Sequence, residues 1–431
     1  MNNTLTTNKS LRIGTLCILY FAQGFPWGFM LTALLSFLAS KGLTMVESGQ
    51  LTAMATLPWT FKLFWGPIID SFTYEEMGRR RPWVLFAQLG MALTLIAMIF
   101  MGDISGNITL LGWMFFLHNC FASLQDVSCD ALAVDVLLPE EQGKVNGAMW
   151  GSKILGTGTG AAAMGTLLVS NGLVFTIIVQ TILMFAIMAF PLFILERPGE
   201  KRFPWSRGAS SRSLDQRSTQ NPMVVIKSLM RAFSKGPCYF TALFILLSAI
   251  NQGINGAVLP VFYNTTLGWE SDSYSQFVGG PSTVLEFIGA ILGGVLADRF
   301  GRRKVFFIGW GSFSLLSGAF GLMVITMPEL PSWFQSFYLA VYPFCIAIGT
   351  VAMFALAMAL SWSKASATMF TSYMAISNLS VVIGNKLIGP LSELFSIGQI
   401  YLLMMFICLL PAVLLKSMDP KPILDIKSEH Q

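Results

Sequence analysis

The stretch Gly294-Val-Leu-Ala-Asp298-Arg-Phe-Gly301-Arg302-Arg303-Lys304 joins two long apolar segments of the 431-residue chain. A looser copy stands earlier, as Gly66-Pro-Ile-Ile-Asp70 followed by Gly78-Arg79-Arg80-Arg81, and the opening glycines of the two copies are 228 residues apart. The pair Gln23-Gly24 recurs as Gln252-Gly253, at an offset of 229 residues. Two motifs that repeat at nearly the same offset predict a chain built from two copies of one structural unit.

The composition places the chain in a membrane. Hydrophobic residues make up 54% of it and charged residues 11%, against about 25% charged residues in a typical soluble protein. A soluble fold covers its surface with polar groups, and this chain has too few of them. The composition therefore excludes a soluble globular enzyme, a nucleic-acid binder and a disordered scaffold, and the lipid bilayer is the expected solvent.

Long apolar segments recur along the whole chain. A helix needs about 20 apolar residues to cross the hydrocarbon layer, and twelve segments qualify: 13–38, 47–69, 83–101, 108–137, 146–169, 172–195, 236–262, 273–298, 304–326, 333–360, 366–392 and 397–416. We predict an all-α integral membrane protein with twelve transmembrane helices in two pseudo-symmetric six-helix bundles. The predicted divisions are an N-terminal bundle over 1–195, a cytoplasmic linker over 196–235, a C-terminal bundle over 236–416 and a cytoplasmic tail over 417–431.

Basic residues predict the orientation, because cytoplasmic loops carry an excess of Lys and Arg. If the N-terminus is cytoplasmic, 23 of the 27 Lys and Arg residues lie in cytoplasmic segments and one, Lys41, lies outside. The other three fall within predicted spans. We therefore expect both termini in the cytoplasm.

Ionisable side chains within the predicted spans are the first candidates for function. They are Lys62, Lys153, Lys386, Asp126, Asp130, Asp135 and Glu286. Such groups cost at least about 2.5–3.5 kcal/mol near the bilayer centre and usually face a bundle interior or a water-filled cavity. Asp126 and Asp130 are one helical turn apart, so their charges repel and one of them would hold a proton near neutral pH. We predict that these two residues carry a coupling proton; a structural ion pair with Lys153 is the alternative.

Amide, aromatic and charged side chains on the same segments are candidate substrate contacts, because they bind sugars and peptides through hydrogen bonds and stacking. The candidates are Tyr20, Gln23, Trp27, His118, Asn119, Lys153, Asn251, Gln252, Asn255, Glu286 and Lys386. Hydrogen bonds between helices are the alternative role for the amides. Lys62 has the alternative of extending its ammonium group to the nearby cytoplasmic face.

The two loop motifs predict a cytoplasmic gate, in which Asp and Arg side chains form ion pairs that break and re-form. Its candidate residues are Gly66, Asp70, Arg79, Arg80 and Asp135 in the first half, and Gly294, Asp298, Arg299, Arg302 and Arg303 in the second. We expect the glycines to let the helix ends approach neighbouring helices closely. An ordinary positive-inside loop would explain the basic residues but not their spacing.

The second loop resembles the loop motif of the major facilitator superfamily. A narrower resemblance, to AmpG-type muropeptide permeases and acetyl-CoA transporters, covers residues 18–155. It rests on Phe21-Ala-Gln-Gly-Phe-Pro-Trp27, Leu57-Pro-Trp-Thr-Phe-Lys62, Gly78-Arg-Arg-Arg-Pro-Trp83, Gln125-Asp126-x-x-x-Asp130-Ala-x-x-x-Asp135 and Gly151-Ser-Lys153. The resemblance implies proton-linked movement of a bulky, polar, often anionic solute, and siderophore-importing relatives make a metal chelate an alternative solute.

These observations together predict a secondary active transporter, not an enzyme, in a bacterial inner membrane. The resemblance alone favours import of the solute. The expected partners are a small-molecule substrate, a proton or other coupling ion and the lipid bilayer, with no nucleic acid, and the expected state is a monomer. No cofactor or metal motif occurs, and the only histidines are His118 and His430. Gly156 and Gly160 predict close helix packing. The remaining alternatives are a membrane-embedded acyltransferase and a non-transporting receptor.

Overall fold

The computed structural model describes residues 4–72, 74–102, 106–206, 233–234, 236–359 and 366–417, and within these ranges the regular structure is helical, with no strand. The α-helices are α1 (Lys9–Gly28), α2 (Leu35–Ala39), α3 (Met45–Thr56), α4 (Lys62–Ser71), α5 (Arg81–Ile99), α6 (Ile108–Val136), α7 (Pro139–Phe193), α8 (Gly236–Ser248), α9 (Ile250–Thr265), α10 (Ser271–Phe277), α11 (Thr283–Phe300), α12 (Arg302–Thr326), α13 (Ser332–Ala359), α14 (Ser366–Leu394) and α15 (Ile397–Ile407).

Short irregular turns join several of these helices into longer runs. A π-helical turn, Phe29–Leu34, connects α1 to α2, and another, Val278–Ser282, connects α10 to α11. A 3₁₀ turn, Leu57–Phe61, lies between α3 and α4, and a second, Leu410–Ser417, follows α15. The long helices therefore change their local geometry part of the way along their length.

Among the described residues, nine helical runs are long and apolar enough to cross a membrane. The predicted spans 146–169 and 172–195 appear as the single helix α7, but Gly172 has non-helical angles (φ 78°, ψ 173°) and separates two helices at the predicted turn. The broken segment that contains α3 and α4 and the charged helix α6 are not among the nine. The all-helical membrane fold is confirmed, and the number twelve stays a prediction.

Two large hydrophobic cores organise the described residues. One contains buried side chains from Leu5 to Ile187, and the other contains buried side chains from Cys238 to Leu415. The boundaries predicted for the two bundles stay predictions. Most of the predicted linker, 207–232 and residue 235, lies outside the described residues, as does the tail beyond residue 417.

Glycines bring α1 and α7 into backbone contact. A Cβ atom on Gly156 would lie 2.5 Å from the carbonyl oxygen of Phe21, and a Cβ on Gly160 would collide with the backbone of Phe25. The close packing predicted for Gly156 and Gly160 is confirmed.

The close approach predicted for the gate glycines is wrong. A Cβ on Gly66 would meet no heavy atom within 4 Å, and one on Gly294 would meet only a methyl group of Val351, at 4.0 Å. The neighbouring Gly293 makes the close contact instead, because its Cβ would lie 2.9 Å from the Cα of Ile348 on α13. The backbone of α11 therefore approaches α13 through the face one residue away from the motif glycine.

The two halves meet through small side chains. A Cβ on Gly158 of α7 would lie 2.6 Å from the carbonyl oxygen of Gly279, and Ser36 donates a hydrogen bond of 3.2 Å to the carbonyl oxygen of Ser271. In the predicted orientation these contacts lie in the external half of the membrane. The halves are therefore packed backbone to backbone on that side.

A buried carboxylate caps the N-terminal end of α5. Glu196, which follows α7, is 2% exposed and accepts hydrogen bonds from the backbone N–H groups of Arg79 (3.1 Å), Arg80 (2.9 Å) and Arg81. A carboxyl oxygen is a favourable partner there, because the first N–H groups of a helix have no hydrogen-bond acceptor within the helix. The end of α7 and the start of α5 are thereby joined.

We expect Gly78→Ala to destabilise the protein more than Gly199→Ala. Both glycines have positive φ angles, 100° and 90°, so either substitution brings about 1–2 kcal/mol of backbone strain. Only at Gly78 would the new Cβ also lie 2.8 Å from the Glu196 carboxyl carbon, whereas at Gly199 it meets nothing within 4 Å. Thermal unfolding in detergent measures the difference, and equal losses would contradict the capping role of Glu196.

Glu196 also predicts a pH-dependent stability. Burial and the negative charge of Glu200 raise the pKa of Glu196 to about 7, whereas an unfolded Glu titrates near about 4.3. The folded state therefore binds the proton more tightly than the unfolded state. The stability that protonated Glu196 contributes is fully present below about pH 4.3 and is lost as the pH rises through about 7. The melting temperature should fall more steeply from pH 5 to pH 8 in the wild type than in Glu196→Gln. Parallel curves would refute this linkage.

Candidate functional site

A carboxylate on α6 lies between two lysines in the N-terminal half. Asp126 forms an ion pair with Lys62 of α4, and its other oxygen lies 3.4 Å from Nζ of Lys153 on α7. The side chains of Asp126, Lys62 and Lys153 are 3%, 6% and 18% exposed. Buried charges require such pairing, because removing an ion from water costs several kcal/mol. Lys62 therefore points into the bundle, and its alternative of reaching the cytoplasmic face is wrong.

The second carboxylate of α6 has a different environment. Asp130 accepts a hydrogen bond from the hydroxyl of Tyr20 on α1, and no ion pair to it occurs among the described residues. Unlike Asp126, it is exposed to space that solvent can enter. The sequence left two roles open for these carboxylates, a proton carrier or an ion pair with Lys153. Asp126 forms the ion pair with Lys153, and Asp130 has a neutral partner.

Indole rings enclose the two ammonium groups. Nζ of Lys153 lies 4.4 Å from the ring centroid of Trp59 and 5.4 Å from that of Trp150, and Nζ of Lys62 lies 5.0 Å from the Trp59 ring. Trp27 of α1 packs edge-on against Trp59, with the centroids 5.5 Å apart. Aromatic faces attract cations through their quadrupole, so the rings hold both lysines in position.

Hydrogen bonds from indole groups complete the polar face of α6. Trp59 Nε1 donates to Asn119 Oδ1 and Trp65 Nε1 donates to Ser123 Oγ, each at 3.0 Å. The face predicted from the spacing of Asn119, Ser123, Asp126 and Asp130 therefore runs along the broken segment that contains α4. The site residues predicted from the sequence did not include Trp59, Trp65 or Trp150, although Trp59 stands in the motif that ends at Lys62.

Gln23 is a buried amide on α1, the helix that also carries Tyr20 and Trp27. It is 1% exposed, and neither polar atom of its side chain has a hydrogen-bond partner among the described residues. A buried amide without a partner is costly. Gln23 therefore retains hydrogen-bonding capacity that a ligand could use.

Several predicted substrate contacts lie elsewhere. His118 is buried, and its Nδ1 lies 2.9 Å from the hydroxyl of Thr94 on α5. In the C-terminal half, Asn255 Oδ1 accepts hydrogen bonds from Tyr338 (3.3 Å) and Tyr401 (2.8 Å). These two residues connect helices within their own halves. The structure does not bring them to the charge cluster, which consists of Asp126, Asp130, Lys62 and Lys153.

The other predicted residues of the C-terminal half are also separate from the charge cluster. Asn251 donates to Cys408 Sγ at 2.8 Å, and Gln252 donates to Thr350 at 3.3 Å. Glu286 is partly buried on α11, and Lys386 is exposed on α14. Neither Glu286 nor Lys386 forms an ion pair within the described part of the chain.

The two copies of the gate motif differ in their contacts. In the first half, Asp70 lies 2.6 Å from Arg80 and 3.4 Å from Arg79, and Arg80 also binds Asp135 at 2.9 Å. In the second half, the gate candidates at the end of α11 and the start of α12 are exposed: Asp298, Arg299, Arg302 and Arg303. The structure therefore assembles the predicted ion pairs in the N-terminal half.

Among the described residues, no group of three His, Cys, Asp or Glu side chains could hold a metal ion. The arrangement suits reversible binding of protons and anions, because it places two ammonium groups, two carboxylates and a phenol at one point in the bundle.

Two family models match the chain. The model described as acetyl-coenzyme A transporter 1 matches residues 12–160, and the major facilitator superfamily model matches residues 241–431. The anhydromuropeptide permease of Escherichia coli (strain K12) is 26% identical over 398 residues, which cover 89% of this chain and 74% of the permease. The putative transporter AmpG 4 of Rickettsia conorii is 24% identical over 383 residues, covering 86% and 87% of the two chains.

Solved structures share the fold at low sequence identity. The nucleoside transporter NupG superposes with a TM-score of 0.71 at 12% identity, covering 94% of this chain and 98% of that one. The D-xylose-proton symporter superposes with a TM-score of 0.69 at 14% identity, covering 94% and 96%. The fold is that of major facilitator transporters.

The matches and the fold indicate a multi-pass membrane protein with the major facilitator fold, as the loop motifs predicted, and the relatives that it resembles are permeases and transporters rather than enzymes. Within that class, the chain is a secondary transporter similar to the AmpG anhydromuropeptide permeases.

We expect Lys62→Met to destabilise the protein by up to about 3 kcal/mol. Removing the sole partner of a buried charge costs roughly 3–5 kcal/mol, and here Lys153 remains beside Asp126, which limits the loss. The double variant Lys62→Met with Asp126→Asn should lose less than the sum of the single variants, because contacting residues are not additive. Thermal unfolding measures all three, with exposed Lys144→Met as the control. Strict additivity would contradict the pairing.

Proposed function

We propose that this protein is a proton-coupled importer of a bulky, polar, anionic solute in a bacterial inner membrane, with both termini in the cytoplasm. The single observation that carries the proposal is the charge cluster of Asp126, Asp130, Lys62 and Lys153. A central cavity would alternate its access as the two halves rock against each other, as in other two-bundle transporters.

The charge balance of the cluster links proton binding to anion binding. With Asp130 ionised, two carboxylates balance two ammonium groups, and the cluster is neutral. With Asp130 protonated, one positive charge remains uncompensated in a site of low dielectric constant, where charge interactions are strong. An anionic substrate then restores neutrality. By linkage, the bound anion must favour the protonated form of Asp130 to the same extent.

Asp130 is the proton carrier in this scheme, and Asp126 holds the lysines. Asp126 touches both ammonium groups, so protonating it would leave two buried cations without a counter-ion. Asp130 is hydrogen-bonded to a phenol and faces solvent-accessible space. Its protonation breaks no ion pair, and water can deliver the proton.

Lys153 is the substrate's anion site. It is the more exposed of the two lysines and lies 3.4 Å from Asp126, so an incoming carboxylate or phosphate can replace part of that contact. Trp59 and Trp150 flank the same ammonium group and offer ring faces for a sugar or a base. The relatives' names favour a muropeptide. The acetyl-coenzyme A transporter match spans the whole cluster and supports an acyl-CoA as the second candidate.

Uptake into proteoliposomes under an imposed pH gradient, acidic outside, tests the proposal. With a radiolabelled anhydromuropeptide, the wild type should accumulate the solute and Asp130→Asn should lose gradient-driven accumulation at least tenfold. Asp130→Asn should retain exchange of the solute between equal internal and external concentrations, because its site stays in the anion-binding charge state. Glu329→Gln, an exposed position outside the site, is the matched control.

Three results would contradict parts of the proposal. Full accumulation by both Asp130→Asn and Asp126→Asn would show that the cluster does not carry the coupling proton. Accumulation that needs ATP would refute secondary transport. If labelled acetyl-CoA is accumulated and the muropeptide is not, the substrate class changes while the coupling scheme stands.

A further inference from the structure

The second transmembrane segment is broken beside the charge cluster. Between α3 and α4 the chain forms the 3₁₀ turn Leu57–Phe61, with Pro58 at its start. Such turns have poorer hydrogen-bond geometry than an α-helix and often mark a hinge. Because proline lacks an N–H group and obstructs the preceding turn, the carbonyl group one turn before Pro58 has no helical donor, and the regular helix is interrupted here. Lys62 begins the helix immediately after the break.

Trp59, in the middle of this turn, contacts both lysines of the cluster. Its ring faces the ammonium groups of Lys62 and Lys153, its Nε1 donates to Asn119, and Trp27 packs against its edge. The side chain is 5% exposed. Movement of either lysine therefore changes the environment of this ring and of the turn that carries it.

The backbone of Trp59 reaches the opposite half of the protein. Asn378, on α14, donates a hydrogen bond of 3.2 Å from Nδ2 to the carbonyl oxygen of Trp59, and α14 packs along the 3₁₀ turn. Three other side-chain hydrogen bonds join the halves, and they lie near the external ends of the helices: Ser36 to Ser271, Asn264 to Ser36, and Gln276 to Thr166. The Asn378 bond, in contrast, lies at the depth of the cluster.

We propose that Trp59 and Asn378 form a latch that transmits the charge state of the cluster to the interface between the halves. The inference rests on the proposed function for its input, the protonation of Asp130. When Asp130 becomes neutral, the lysines lose one of the two negative charges that hold them. Their new positions alter the contacts with the Trp59 ring, the 3₁₀ turn shifts, and its carbonyl group releases Asn378. Trp59 and Asn378 are positioning residues and need not touch the substrate.

Several charged and titratable groups face Asp130. They are Tyr20 from α1, Lys62 from α4, Asp126 and Cys129 from α6, and Lys153 from α7. Asp130→Asn mimics the protonated state without changing the bulk pH, so it perturbs the input of the latch without titrating these neighbours.

Distances between spin labels at the cytoplasmic ends of the halves test the latch. Positions 144 and 304 are exposed on α7 and α12 and accept labels in the full-length chain after its six cysteines are replaced. At pH 8 in nanodiscs, Asp130→Asn should shift the distance distribution relative to its parent. In the Asn378→Ala background the same substitution should produce no shift. Gln276→Ala removes a different hydrogen bond between the halves and should preserve the shift.

Two results would overturn the latch. One is an equal shift in the Asn378→Ala and Gln276→Ala backgrounds, and the other is no shift from Asp130→Asn in the parent. If Asn378→Ala does not fold, Trp59→Phe replaces it: the carbonyl partner stays, the indole N–H is lost, and the shift should shrink at least twofold. Absence of proton-driven uptake by the wild type, with the distance shifts intact, would refute the proposed function and leave the latch standing.

Discussion

The Asp126 carboxylate and the ammonium groups of Lys62 and Lys153 share a site from which water is largely excluded. None of the three could stay ionised there alone, because the loss of hydration exceeds what a single weak contact returns. Their mutual attraction therefore dictates which faces of α4, α6 and α7 turn inward. These ion pairs lie at the centre of the site. The indole rings, the break in the second segment and the exposed Asp130 surround them.

The two halves share a repeated motif, but their buried polar groups differ in charge. The N-terminal half buries ion pairs, whereas the buried polar groups of the C-terminal half are mostly neutral, such as Asn255 with Tyr338 and Tyr401. This difference suits a division of labour, in which one half responds to charge and the other offers a surface against which it moves. Asn378 lies where that surface meets the responsive half.

Sequence alone predicts the membrane class and the polar face of α6, since both follow from composition and from the 3.6-residue period. An ion pair with Lys153 could be predicted, but the second partner of Asp126 could not, because Lys62 follows a 3₁₀ turn that resets the helical phase. The helix containing Asn251 and Asn255 shows a different limit: spacing reveals a polar face but not whether it meets a cavity or a tyrosine. The close helix approach predicted at Gly294 was wrong for a similar reason. Gly293, which makes the contact, points about 100° away from Gly294 around the helix.

The cap on α5 has a consequence for biosynthesis. Residues 79–81 leave the ribosome more than a hundred residues before Glu196, the side chain that satisfies their N–H groups. The first turn of α5 therefore lacks the Glu196 acceptor while the intervening helices are made and inserted. The N-terminal half can complete this contact only after the chain has grown past residue 196, so the start of α5 is one of the last parts of that half to reach its final structure.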